Sequence, residues 1–134
     1  MSNTQAIGVA YSDPEFVTCY ASDELGYAAA AQGSVTQATS KSTAVTLNKS
    51  AGVITMNNAA LAATTSVNFT LNNSTISAKD TVILTLANSG ATAGAYTAIV
   101  SALSTGVATI TVRNITSGSL SEAIVLNFCI IHQE

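Results

Sequence analysis

The chain has 134 residues, of which 48% are hydrophobic and only 8% charged, and its formal net charge is −3. That length builds one domain around one core. The four basic residues, Lys41, Lys49, Lys79 and Arg113, are too scattered to neutralise a row of phosphates, and there is no tryptophan for bases to stack on, so nucleic acid is not an expected partner.

The segment from Met1 to Gln32 stands apart. It carries Asp13, Glu15, Asp23 and Glu24 with no Lys or Arg, a formal charge of −4, against +1 for the remainder. It also holds the only proline, Pro14, and three of the four tyrosines. Isolated aromatics in polar sequence are the pattern of an extended arm that docks onto something else. The residues expected to make that contact are Tyr11, Asp13, Glu15, Phe16, Tyr20, Asp23, Glu24 and Tyr27. The alternative is that the segment packs on its own domain as an extra strand or a short helix, for which Glu24 to Gln32 has the alanines. The N-terminus lacks the basic and apolar regions of a signal peptide, which points to synthesis in the cytosol. There Cys19 and Cys129 are expected as free thiols.

From Ser34 onward the apolar period is two, and Thr, Val and Ile abound, the signature of strands. Strands are expected at Val35–Ala38, Ala44–Leu47, Gly52–Met56, Ser66–Leu71, Thr81–Ala87, Ala95–Leu103, Val107–Asn114 and Glu122–Ile131. Asn, Ser and Gly clusters separate them, as turns require. The fold class is therefore all-β: a single sandwich of about eight short antiparallel strands, jelly-roll or immunoglobulin-like, with an extended N-terminal arm. Residues 1–33 form the arm and 34–134 the sandwich.

Alternation assigns the faces. Val67, Phe69 and Leu71 share one, as do Val82, Leu84 and Leu86, then Ala108, Ile110 and Val112, then Ile124, Leu126, Phe128 and Ile130. Asn68, Thr70, Thr85, Thr109 and Thr111 line the opposite side. The last strand breaks the rule, because Val125, Cys129 and Ile131 make its second face apolar as well. That face is either a subunit interface or buried under the N-terminal segment.

Nothing in the pattern points to chemistry. His132 is the only histidine and is read as solvated. No Gly-x-Ser-x-Gly elbow occurs, and neither Cys-x-x-Cys nor His-Glu-x-x-His is present to hold zinc. No catalytic, metal-binding or cofactor-binding residue is expected. The Asn-x-Ser/Thr tripeptides at Asn48, Asn68, Asn72, Asn73 and Asn114 are read as by-products of composition. No apolar run approaches the roughly 18 residues of a spanning helix, so no membrane is expected either.

The run from Gly33 through Lys49 (GSVTQATSKSTAVTLNK), the stretch Ile54-Thr55-Met56-Asn57, and the closing run from Arg113 through Phe128 (RNITSGSLSEAIVLNF) together resemble small β-rich virion proteins of tailed bacteriophages. The resemblance covers residues 33 to 131 and brings no catalytic residues with it. It implies a structural role on the particle. The leading expectation is a capsid decoration or cement protein on the capsid exterior, a homotrimer whose partner is the major capsid protein. A tail-fibre, spike or knob module contacting the host surface is the alternative.

Overall fold

The computed structural model describes residues 17–87 and 91–133. Eight strands form: β1 (Gln32–Thr36), β2 (Val45–Thr46), β3 (Ala51–Thr55), β4 (Ser66–Asn72), β5 (Thr81–Ala87), β6 (Tyr96–Ser104), β7 (Val107–Asn114) and β8 (Val125–Ile131). They make two four-stranded sheets, ordered β1-β3-β8-β5 and β2-β4-β7-β6, referred to below as sheets A and B. The chain is an all-β sandwich, and each expected strand overlaps an observed one. β1 begins at Gln32, so the sandwich takes in the last two residues of the expected arm. The alanines ahead of it form one 3₁₀ turn, Ala29–Ala31.

The expectation of purely antiparallel strands needs correction. β1 pairs with β3, and β2 with β4, in parallel. The reason lies in the connections. The chain passes from sheet A to sheet B and back over β1, β2, β3 and β4. Each crossing reverses its direction, so every second strand returns to its sheet running the same way. The remaining pairings, β3 and β5 with β8 and β4 and β6 with β7, are antiparallel.

The expected inner faces meet in the core. Phe69, Leu71, Ala108, Ile110 and Val112 of sheet B face Ile54, Leu126, Phe128 and Ile130 of sheet A, all buried. Val82 and Leu84 are half-buried against them, while Leu86, at the edge of sheet A, is 40% exposed. β5 is therefore less covered than its alternation implies.

Two glycines set the spacing of β1, β3 and the β2–β3 turn. A Cβ at Gly52 would lie 2.8 Å from the carbonyl oxygen of Gly33 and 2.7 Å from Leu47 Cδ2. A Cβ at Gly33 would meet only side-chain atoms, Leu47 Cδ1 at 2.9 Å and Lys49 Cγ at 3.1 Å. Backbone cannot yield as a side-chain tip can. Gly52→Ala is expected to cost about 1–3 kcal/mol in urea unfolding and Gly33→Ala distinctly less. Equal losses would mean that the β1–β3 spacing is not what Gly52 protects.

Candidate functional site

β8 has a neighbour on each edge, which makes it the centre of sheet A. Its inward residues are core, and its outward residues are Val125, Cys129 and Ile131 with the exposed Asn127 between the first two. Cys129 stands level with Ala51 on β3 and Ile83 on β5. Val125 and Cys129 are half-buried, whereas Ile131 is 52% and Ile83 43% exposed. The two expectations for this face divide it between them. The N-terminal segment covers one end, and the rest is open.

The covering residue is Tyr27. Its hydroxyl donates to the carbonyl of Ile130, and its own carbonyl accepts Gln32 Nε2 at 2.6 Å. Burial raises the Tyr27 pKa, with the nearby Cys129 and Asp80 adding to the effect. Leu25, Gly26 and Tyr27 wall one side of an open groove of about 740 Å³ floored by Ala51, Cys129, Ile130, Ile131 and His132. Of the expected arm residues that are described, only Tyr27 is brought to this face. Tyr20, Asp23 and Glu24 are exposed, as are the apolar side chains of Val17 and Leu25. Tyr11, Asp13, Glu15 and Phe16 lie outside the described residues. Cys19, exposed, and Cys129 are both free thiols.

His132, read as solvated, is exposed, and its Nδ1 also lies 3.0 Å from Asp80 Oδ2. Asp80 precedes β5, in a turn where its carboxylate accepts from the Ser77 backbone N–H at 2.8 Å and the Ser77 hydroxyl at 2.9 Å. The N–H of Gln133 donates to it at 3.1 Å. These donors, the Ser77 amide foremost, pull the Asp80 pKa down to about 2. No sequence signal joins Asp80 to His132, since 52 residues separate them.

At the opposite end of sheet A lies a second polar cluster that the sequence does not announce. Lys41 is buried, and its Nζ donates to the carbonyls of Asn57 and Glu122. Burial lowers its pKa, while the charge of Glu122 acts in the opposite sense. The Glu122 carboxylate accepts from the Thr92 hydroxyl at 2.6 Å, the Thr92 N–H at 3.1 Å and the Tyr96 hydroxyl at 2.7 Å. Bonds from Thr92, then from Tyr96, hold its pKa below the ordinary carboxylate value. Gln37, also buried, donates to the carbonyls of Lys41 and Thr43 and accepts the N–H of Asn57. This cluster is closed on itself and reads as a fastening.

Two of the Asn-x-Thr tripeptides are fastenings as well. Asn73 and Asn114 are buried, and each side-chain oxygen accepts both the N–H and the hydroxyl of the Thr two residues on. Their amide groups donate across the fold, Asn73 to the carbonyl of Lys49 and Asn114 to those of Leu61 and Gly118. These two are structural parts, which corrects their reading as by-products of composition.

Among the described residues no three His, Cys, Asp or Glu side chains converge to hold a metal ion. No helix there is long and apolar enough to cross a membrane. No family model, curated protein or solved structure matches the chain.

Both depressed carboxylates stabilise the fold only while ionised, so their contribution is complete above the ordinary carboxylate range and lost as pH falls through their folded-state values. Melting temperatures at pH 7 and near pH 2.5 test this. Asp80→Asn is expected to lower the melting temperature at pH 7 and to narrow the gap between the two conditions. Lys41→Ala leaves two half-buried carbonyls without their donor and is expected to cost about 1–3 kcal/mol in denaturant unfolding.

Proposed function

We propose that the protein is a structural component of a bacteriophage particle, a capsid decoration protein that binds the shell of major capsid protein as a homotrimer. The observation that carries this reading is the open apolar strip on the outer face of sheet A, where Ile83 and Ile131 stand exposed beside Cys129. An apolar strip on a weakly charged surface favours permanent contacts over free diffusion. Sheet B provides the contrast. Its outer face is mostly polar, with Asn68, Thr70, Thr109 and Thr111, the last bonded through Oγ1 to Ser101 Oγ at 2.8 Å, although Ile99 on β6 stands exposed beside Thr111. In this reading sheet A faces its neighbours in the assembly and sheet B faces out. The exposed acidic residues Asp23 and Glu24, on the segment that ends at the Tyr27 anchor, reach the capsid lattice. The sequence resemblance over residues 33 to 131 supports the same assignment.

Sedimentation analysis of the full chain is expected to give a trimer. The double variant Ile83→Lys, Ile131→Lys, which alters only exposed positions, is expected to sediment as a folded monomer. A chain without residues 1–26, which keeps Tyr27, is expected to fold and trimerise but to lose capsid binding. Immunogold labelling of the parent phage then locates the protein. Label spread over the head supports decoration, and label confined to the tail overturns it in favour of a fibre or spike module.

A further inference from the structure

Three side chains with no part in that structural role converge at the end of sheet A where Tyr27 docks. Ser50 lies in the turn before β3, Asp80 just before β5, and His132 one residue beyond β8. The buried Asp80 carboxylate is held in place by its bonds to Ser77 and Gln133, and its Oδ2 meets His132 Nδ1 at 3.0 Å. An anion at Nδ1 takes that nitrogen's proton as a hydrogen bond and leaves the lone pair on Nε2. Nε2 in turn lies 3.4 Å from the Ser50 hydroxyl oxygen. The order of atoms is that of an activated serine: hydroxyl, imidazole base, and a carboxylate that orients the base. The separation of 3.4 Å is the looser contact usual before a substrate is bound.

We propose that Ser50, His132 and Asp80 form a nucleophilic relay that cleaves small carboxylic esters. In the first step Ser50 Oγ bonds to the ester carbonyl carbon as its proton passes to His132 Nε2. The carbon–oxygen bond to the alcohol then breaks, and the alcohol leaves with that proton. Water repeats the sequence on the acyl-serine, giving its proton to Nε2, and the carboxylic acid departs as Ser50 is regenerated. Asp80 stays ionised throughout and balances the imidazolium formed at each step. His132 lines the groove of about 740 Å³ together with Leu25, Tyr27 and Ile131, and Ser50 precedes its lining residue Ala51 in the chain, which suits a short apolar acyl group. The relay does not rest on the capsid assignment, although its groove shares Ile131 with the proposed subunit contact.

The alternative role for the same contacts is mechanical, a pin holding the end of β8 against the 77–80 turn. A pin leaves Ser50 with the reactivity of an ordinary alcohol, so a covalent probe separates the two. The full chain is treated with a tagged alkyl fluorophosphonate and the labelled residue mapped by peptide mass spectrometry. The expected result is labelling at Ser50, absent in Ser50→Ala and slowed by about 10²-fold or more in His132→Ala. Hydrolysis of p-nitrophenyl butyrate by the wild type is expected to be lost in both variants. Both variants alter side chains at or near the surface, so circular dichroism is expected to show them folded. No label on Ser50 in the wild type, or a wild-type labelling rate in His132→Ala, overturns the proposal. Oligomer size, read on the same samples, reports separately on the assembly reading.

Discussion

The ammonium group of Lys41, enclosed in the fold, is the constraint around which one end of the sandwich is arranged. A charge taken out of water is tolerated where its protons find acceptors and an opposite charge stands near. Lys41 places two of its three protons on the carbonyls of Asn57 and Glu122 and feels the charge of the nearby Glu122 carboxylate. In doing so it joins the β1–β2 crossing to the chain leaving β3 and the chain entering β8. Gln37 and Tyr96 extend the network into both sheets. Removing Lys41 or Gln37, its buried members, leaves their partners without those bonds, so the cluster's parts depend on one another. The apolar core between the sheets is non-directional and accepts many arrangements. The polar cluster accepts one, and so it fixes how the two sheets meet.

The strands were legible because their signal is local. Val67, Phe69 and Leu71 alternate with Asn68 and Thr70, and a period of two has one reading whatever lies around it. Strand direction was not legible, because alternation looks the same in parallel and antiparallel pairs. β1 and β3 could be assigned directions only once the crossing through β2 was known. The polar fastenings were hidden for a related reason. Lys41 sits between two serines and reads as surface, while Asn73 reads as a turn residue and Asn114 as the end of a strand. Their burial depends on partners 16 to 81 residues away.

The same logic separates what the sequence could say of the candidate sites. The second apolar face of β8 was visible in Val125, Cys129 and Ile131, because it breaks a local pattern. Tyr27 stood out as an aromatic in polar surroundings, but its landing place beside Ile130 lies 103 residues on. The Ser50, Asp80 and His132 cluster carries no spacing signature, since its members come from the ends of three different elements. The two titratable clusters thus sit at opposite ends of sheet A, while the broad outer faces of both sheets mix threonines with exposed isoleucines, Ile83 and Ile131 on sheet A and Ile99 on sheet B.

The position of β8 has a further consequence, for the order in which the molecule can be made. It is the last strand in chain order, yet it lies between β3 and β5 and is the only strand that joins them. Until residues 125–131 have been synthesised, β3 and β5 have no partner between them and one side of the core has no wall. Sheet B closes earlier, since β4, β6 and β7 are complete by Asn114. A nascent chain therefore presents a finished half-sandwich with an open apolar side until its final strand inserts. That step pairs segments far apart in sequence and is correspondingly slow. The exposed intermediate is a target for aggregation or chaperone capture, and the few surface charges do little to protect it.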